Sequence, residues 1–273
     1  MGFAITDLTP VEQTAFVTQY ARAVDSRWTR PILGDTLADD IVAKIDYDFP
    51  GLGVPASAIR QTALRAKLLD DRIRDFVARH PDAVVVDLGA GLATPMPRVA
   101  PPPTVDWYDV DLPNVIALRN RVVPPDTHAH SVPASLADNS WTDHIPAGRP
   151  TFLFADGLLA FVSESVIVNL FRHIPEHFES GEIAINDYGR VSPLNIAVMK
   201  VVFSAVGTQW RYRGFDDARV PESWSPRLRL VEETSLSQVP EVDLYPTAAR
   251  VSTRLMGKTK SGARTARILR YRF

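Results

Sequence analysis

The chain has 273 residues, of which 45% are hydrophobic and 23% charged, an ordinary globular composition that is long enough to bury a large core. The formal net charge of -2 provides no overall basic field for nucleic acid or an anionic membrane. The count of 0 cysteines excludes disulfides, thiolate metal sites and cysteine nucleophiles. Because no apolar run could span a bilayer and no secretory signal opens the chain, we expect a cytoplasmic protein with neither a nucleic-acid nor a membrane partner.

Three helices are predicted before the first strand. The first covers residues 9–25, with Thr9 as its N-cap, and the second covers residues 36–45. A third, long helix is expected from Ser57 to Arg79, because apolar residues recur along it at helical spacing. All three precede the predicted sheet, so we interpret residues 1–80 as a helical cap over a cofactor and a substrate.

The first predicted strand ends in an acid followed by two glycines. Val84 to Val86 are apolar without alternation, which is typical of a central parallel strand buried on both faces. Asp87 ends this run, and Gly89 and Gly91 then allow a sharp turn and the close approach of a ligand to the main chain. In a doubly wound sheet, nucleotide-like cofactors bind at this point. An ordinary tight strand-to-helix turn remains the alternative interpretation.

The residues after the glycines argue against a dinucleotide. A dinucleotide fingerprint has a third glycine and opens directly into a helix whose N-terminus holds a pyrophosphate. Here the third position is Thr94, and Pro95 and Pro97 follow, which disfavours a regular phosphate-binding helix. A small adenosyl ligand without phosphate needs only the close approach, so the pattern favours such a ligand over NAD or FAD.

A second acid lies at the end of the next predicted strand. Residues 104–113 form this strand, and Asp111 at its carboxyl end is about twenty residues beyond the glycines. A carboxylate there can accept hydrogen bonds from both hydroxyls of a ribose. The alternative is that Asp111 only caps the helix that begins at Leu112 and Pro113. The glycine loop nearby favours ribose binding.

These stretches resemble the leucine carboxyl methyltransferase family, in particular its bacterial branch with the tetracenomycin-type polyketide O-methyltransferases. The similarity covers about residues 10–190 and is carried by the following segments: 85–91, 107–113, 26–33, 45–49, 65–70 and 154–159. The resemblance implies an α/β fold with the class I S-adenosylmethionine methyltransferase sheet, a Rossmann-like mixed sheet of seven strands. It also implies S-adenosylmethionine as the methyl donor.

The resemblance also implies a set of donor-binding residues. These are Arg65, Asp87, Gly89, Ala90, Gly91, Asp111, Leu112, Ser135, Leu136 and Asp156. Arg65 matches the family's arginine motif, and a guanidinium can bind the methionine carboxylate of the donor with two hydrogen bonds.

The chain departs from the family pattern at several of these positions. The family places Asp-Leu after its third strand, where this chain has Ser135 and Leu136, so Ser135 or Asp138 is expected to reach the adenine. Asp156 replaces a glutamate, which shortens its reach. Ala93 and Pro95 stand where the family has an acid and an arginine. These departures raise the possibilities of altered donor affinity and of a divergent branch.

The remaining elements complete an α/β domain over residues 81–273. Further strands are predicted around 128–132, 152–155, 181–188, 228–233 and 265–273, with a helix from Ser163 and a candidate helix from Glu241 to Leu255. His173 and His177 match a zinc-binding pattern on the first of these helices. Both histidines flank its apolar stripe and Pro175 interrupts the turn, so we expect no metal.

The expected activity is S-adenosylmethionine-dependent O-methyl transfer to a small-molecule, polyketide-like carboxylate or hydroxyl. The alternatives are a protein C-terminal carboxyl methyltransferase and a cofactor-binding homologue without turnover. A carboxylate acceptor is already ionised and needs no general base, and no residue of the sequence is assigned as one. The sequence predicts no oligomeric state.

The acceptor site is expected above the sheet, in the helical cap and in a cap insertion at about residues 188–225. This insertion contributes the following candidate residues: Tyr188, Arg190, Trp210, Arg211 and Tyr212. Aromatic rings offer flat apolar walls, and an arginine can bind an acceptor carboxylate. A nucleic-acid stacking surface is disfavoured because no wider basic field surrounds these residues, and simple packing of the cap remains the alternative.

Overall fold

The computed structural model describes residues 8–190, 211–212 and 214–273, so Trp210 lies outside the described residues. The strands of the described part are β1 Val84–Leu88, β2 Asp106–Asp111, β3 Ala129–Pro133, β4 Thr151–Ala155, β5 Gly181–Asp187, β6 Arg229–Ser235 and β7 Arg267–Arg272. Its α-helices are α1 Thr14–Ser26, α2 Thr36–Lys44, α3 Ala56–Arg79, α4 Pro95–Val99, α5 Pro113–Val122, α6 Glu164–His177, α7 Thr247–Met256 and α8 Lys260–Ala263. Short 3-10 helices lie at Pro50–Leu52, Asn139–His144, Leu159–Phe161, Val220–Ser223 and Pro240–Leu244.

The strands form one seven-stranded sheet in the order β3-β2-β1-β4-β5-β7-β6. The first five of these pair in parallel, whereas β7 runs antiparallel to both of its neighbours. The chain moves outward from β1 to β3 and then returns to pair β4 with β1 on the other side. This reversal places a topological switch point between β1 and β4, where α/β proteins bind their ligands.

The central strand is buried on both faces, as its unbroken apolar run predicts. Val84 and Val86 pack in a cluster with residues of α6, including Phe171, on one face of the sheet. Val85 packs on the other face with residues of α3, including Leu68. The side chains of β1 thus pack alternately against helices on the two faces of the sheet, and this packing fixes the carboxyl end of the strand at the middle of the sheet.

The N-terminal helices α1 and α2 form a further hydrophobic cluster that includes Phe16 and Ile41, together with Leu92 from the loop after β1. The buried carboxylate of Asp25 stabilises the loop between these helices, because it accepts backbone N–H bonds from residues 32–34 and pairs with Arg60 at 3.1 Å. The helical cap is thus anchored directly on the glycine loop, while its boundary at residue 80 stays a prediction.

Three helix predictions need correction. Helix α1 begins at Thr14 instead of Thr9, because residues 10–13 form turns and Thr9 instead donates to the Glu12 carboxylate. The candidate helix over residues 241–255 is split, since Pro246 separates a 3-10 helix from α7. Pro175 lies inside α6, which nevertheless continues to His177. Within the described residues, none of the helices combines the length and apolarity that a membrane crossing requires.

Candidate active site

A cavity of about 360 Å³ lies at the carboxyl ends of β1, β2 and β4. Its volume falls within the range of small-molecule sites. All the residues predicted for donor binding line it: Arg65, Asp87, Gly89, Ala90, Gly91, Asp111, Leu112, Ser135, Leu136 and Asp156. The structure therefore brings together side chains from five separate stretches of the sequence.

The glycine loop takes the backbone conformation that its residues predict. Gly89 and Gly91 have φ angles of 74° and 52°, in the left-handed region that favours glycine. A Cβ atom on Gly89 would lie 2.9 Å from the Leu158 side chain, and one on Gly91 would lie 3.3 Å from that of Ala15. A larger residue at Gly89 would therefore clash with the segment after β4, and one at Gly91 would press against helix α1 of the cap.

Asp111 holds the glycine loop and caps a helix at the same time. One carboxylate oxygen accepts the Gly91 N–H at 2.7 Å, and the other accepts the Leu112 N–H at 2.7 Å, at the start of α5. Burial raises the pKa of Asp111, although these backbone bonds oppose the shift. Because a carboxylate has about four acceptor positions, the cap does not exclude a ribose ligand.

Arg119, which the sequence analysis missed, fixes the carbonyl groups of the same loop. Its guanidinium donates to the Gly91 carbonyl at 3.2 Å and to the Ala93 carbonyl at 2.5 Å. It also donates to the buried Asp109 carboxylate on β2, at 2.7 and 3.0 Å. No local pattern in the sequence marks Arg119, because its role depends on how α5 folds back over the loop.

Arg65 lies in an ion-pair network at one end of the cavity. Its guanidinium pairs with Asp156, which follows β4, and donates to the Tyr188 hydroxyl at 2.5 Å. The other Asp156 oxygen lies 3.6 Å from Arg22 on α1. Asp156 thus faces two arginines in spite of its short side chain.

Arg22 is a second residue that the sequence analysis missed, although a lone arginine in the apolar stretch of α1 is a visible signal. Its side chain is buried and lines the cavity, and its Nε has no hydrogen-bond partner among the residues that the structure describes. Burial lowers the pKa of Arg22 to about 10, so it remains charged at neutral pH. With Arg65 and Asp156, it forms a buried group with more positive than negative charge.

Asp87 is a buried carboxyl group on the floor of the cavity. It pairs in strand register with Asp109 of β2, and both are almost fully buried. Burial, and then the negative charge of Asp109, raises the pKa of Asp87 well above its ordinary value, while Arg119 opposes this shift. A cation bound near Asp87 would therefore stabilise the ionised form of its carboxyl group.

The residues predicted to reach an adenine follow β3, at the edge of the sheet, whereas Asp156 follows β4. Ser135 and Leu136 line the cavity after β3, and the Ser135 hydroxyl accepts the Ala137 N–H at 3.3 Å. Asp138 caps a 3-10 helix by accepting the Ser140 N–H at 3.0 Å and is not among the lining residues described. After the glycines, α4 covers only five residues, Pro95–Val99, in agreement with the predicted lack of a regular phosphate-binding helix.

The predicted acceptor residues occupy different environments. Tyr188 and Arg211 line the cavity, and the Arg211 N–H donates to the Ala160 carbonyl at 2.7 Å. Tyr212 is buried in the core beside Phe215, and Arg190 is exposed and not among the described lining residues. Trp210 is outside the described part of the chain.

The two histidines of the zinc-like pattern lie on α6, away from the cavity lining described. His173 Nε2 lies 2.9 Å from the Thr142 hydroxyl, and burial lowers the pKa of His173. In the part of the chain that the structure describes, no three His, Asp or Glu side chains group closely enough to hold a metal ion.

Comparison with known proteins identifies the relatives of this chain. The leucine carboxyl methyltransferase family profile matches residues 15–175. The tetracenomycin polyketide synthesis O-methyltransferase TcmP of Streptomyces glaucescens is 35% identical over 235 residues, which cover 85% of this chain and 86% of that protein. The S-adenosyl-L-methionine-dependent methyltransferase dpfgK of Gibberella zeae is 27% identical and covers 82% of each chain.

Solved structures agree on the fold. A protein from Thermobifida fusca, provisionally assigned as a methyltransferase, superposes with a TM-score of 0.61 at 16% identity, over 92% of this chain and 93% of that one. A DUF574 family protein from Streptomyces avermitilis gives a TM-score of 0.60 at 16% identity, over 95% and 96%. These findings confirm the predicted class I methyltransferase sheet, and the chain is a member of the leucine carboxyl methyltransferase family.

Proposed function

We propose that this chain is an S-adenosylmethionine-dependent O-methyltransferase that acts on a small, polyketide-like carboxylate or hydroxyl. The single observation that supports this most is the cavity, which collects every predicted donor residue at the switch point of the sheet. The predictions of a methyltransferase and of S-adenosylmethionine as its donor are confirmed by the family and by relatives whose names carry this activity. We propose a polyketide-like acceptor because the relative TcmP is named as a polyketide synthesis O-methyltransferase.

The structure fits the nucleoside part of the donor. Gly89 and Gly91 line the cavity with positive φ angles and carry no side chain, so a ligand can approach the main chain closely. We assign the ribose hydroxyls to Asp111 and the adenine to Ser135 and Leu136, which line the same wall. No cationic cluster for a pyrophosphate is required in this assignment, because the donor carries no phosphate.

The charged end of the cavity fits the methionine part of the donor, which carries one carboxylate and one ammonium group. We assign the carboxylate to Arg22 and Arg65, since the buried Arg22 Nε has no partner in the described part of the chain and the two arginines share one carboxylate, Asp156. We assign the ammonium to the acidic groups Asp87 and Asp156. Each buried charge then has an opposite charge beside it, as burial requires.

When bound, the donor supplies a sulfonium methyl group that an acceptor oxygen can attack in line. The protein orients the substrates and excludes water from them. The hydrogen bonds of Asp111 and Arg119 fix the glycine loop, and helices α1 and α3 cover the cavity. Holding the oxygen close to the methyl carbon with water excluded provides much of the rate. No general base is assigned, because an ionised carboxylate or phenolate needs none.

Calorimetry and a transfer assay test this function directly. We expect S-adenosylhomocysteine to bind at one site per chain and NAD not to bind comparably, because the loop offers no pyrophosphate helix. Radiolabelled donor should methylate small aromatic acids or phenols in preference to peptides with a free carboxyl terminus. A preference for NAD would contradict the donor assignment. Methylation confined to peptides would favour a protein carboxyl methyltransferase, and binding without any transfer would favour a non-catalytic homologue.

Asp111→Asn tests the ribose assignment. The variant replaces one carboxylate oxygen by an amide N–H, so it should weaken S-adenosylhomocysteine binding by about 1.5–3 kcal/mol, the range for a charged hydrogen bond. Calorimetry on Asp111→Asn and on the control Asp138→Asn, which makes the same substitution at a helix cap that is not among the described lining residues, measures the difference. Equal donor affinity in both variants would reduce Asp111 to a helix cap.

A further inference from the structure

The lining of the cavity changes character along helix α3. Arg65 belongs to the charged group near Asp156, whereas the cavity residues that come before it on the helix are uncharged: Ala58, Gln61 and Thr62, with Val54 just before the helix begins. Ala58, Gln61 and Arg65 are spaced i, i+3 and i+7, which places them on one face of the helix. One continuous stripe of α3 therefore passes from a charged to a largely apolar environment.

The helical rise sets a length scale along this stripe. At 1.5 Å per residue, Gln61 lies about 6 Å and Ala58 about 10 Å from Arg65 along the helix axis. If Arg65 binds the methionine carboxylate, as proposed above, the donor is anchored at the Arg65 end. Gln61 and Ala58 are then available to the other substrate.

The segment after β4 supplies more of the apolar lining. Leu158, Val162 and Val166 line the cavity together with Phe161, and these side chains offer no charge. Gln61 is half-buried, and its side-chain amide forms no hydrogen bond with any other described residue. An amide can donate and accept hydrogen bonds, so Gln61 adds one adaptable polar group to an apolar slot.

We propose that Ala58 and Gln61 form the acceptor wall, and that the acceptor is a planar, largely apolar ring compound with a carbonyl or hydroxyl group that bonds the Gln61 amide. This inference rests on the proposed function. The small Ala58 side chain leaves room for a ring edge, and Gln61 orients the ring. The ionised acceptor oxygen, a carboxylate or a phenolate that has already released its proton to solvent, then forms the bond to the methyl carbon, the sulfur–methyl bond breaks, and its electron pair remains on sulfur, which gives a methyl ester or ether and S-adenosylhomocysteine.

Two variants and two probes test this wall. Salicylate and 1-hydroxy-2-naphthoate, which differ by one ring, are titrated by calorimetry into the S-adenosylhomocysteine complex, and their KM values are measured where turnover occurs. Ala58→Phe should weaken the two-ring probe by about tenfold or more and salicylate by less than about threefold, because the added ring occupies the slot. Gln61→Leu should weaken both probes by about tenfold, the effect of one lost hydrogen bond.

Ala56→Phe is the matched control, because Ala56 is exposed on the same helix and is not among the lining residues described. S-adenosylhomocysteine affinity should remain within about twofold in all three variants, since none contacts the donor in this assignment. The wall is wrong if Ala58→Phe behaves like Ala56→Phe, if Gln61→Leu weakens the donor as much as the probes, or if neither probe binds the wild-type complex. Probe binding without methyl transfer would support the wall and contradict only the proposed function.

Discussion

Arg65→Met is expected to reduce the affinity for S-adenosylhomocysteine by at least about 100-fold, because a buried guanidinium that binds a carboxylate contributes two charge-assisted hydrogen bonds. The substitution also leaves Asp156 buried with only the more distant Arg22 beside it. Loss of one partner of a buried ion pair costs about 3–5 kcal/mol of folding stability. Calorimetry with S-adenosylhomocysteine and urea unfolding measure the two effects separately.

The double variant Arg65→Met, Asp156→Asn separates binding from folding. It removes the uncompensated carboxylate, so it should regain much of the lost stability while donor affinity stays low. Arg72→Met is the matched control. Arg72 lies on the same helix as Arg65 and pairs with Glu232 of β6, and it is not among the described residues that line the cavity. If the double variant binds the donor like the wild type, Arg65 serves folding alone.

The residues predicted from the sequence to bind the donor line one cavity, because most of them follow strands directly. Gly89, Asp111 and Asp156 each lie within a few residues of a strand end, and parallel strands end at one edge of the sheet. A strand such as β1 is recognisable from its unbroken apolar run alone, since both of its faces are buried. Local sequence patterns are therefore sufficient to predict that these residues lie close together.

The residues that were missed reach the site through tertiary packing. Arg22 and Arg119 come from helices whose positions over the glycine loop depend on contacts with distant parts of the chain. The apolar neighbours of Arg22 mark it as unusual, but no neighbour of either arginine in the sequence shows which site it reaches. The same reason explains Tyr212, which was predicted beside the acceptor but packs in the core, because a single aromatic residue serves either purpose equally well.

Helix ends were also beyond local prediction. Thr9 has the residue type of an N-cap, yet it forms its bonds with Glu12 in a preceding turn and α1 begins later. Around Pro246 the apolar spacing continues across a break that the proline ring imposes. Periodicity reports which side chains face the core, and it does not report where the backbone hydrogen bonds of a helix begin.

Arg119→Met is expected to destabilise the fold by about 3–5 kcal/mol, because it leaves the buried Asp109 carboxylate without its cation. The carbonyls of Gly91 and Ala93 lose their donor as well, so the glycine loop should loosen and donor affinity should fall. Arg121→Met is the control, since Arg121 lies two residues further on and is exposed. Urea unfolding and calorimetry with S-adenosylhomocysteine measure both effects.

The same variant should also change the pH dependence of stability. A carboxyl group whose pKa is raised in the folded chain binds its proton more tightly there, so stability falls as the pH rises from the unfolded value, about 3.9, through the folded value. Asp87 is such a group, and Arg119 opposes its raised pKa. Without Arg119 the folded pKa of Asp87 should rise further, so stability should fall over a wider pH range, and mild acidification should recover part of the loss. Adding Asp87→Asn to Arg119→Met should remove the part of this additional pH dependence that Asp87 contributes, and a profile unchanged between wild type and Arg119→Met would show that the two groups are not coupled.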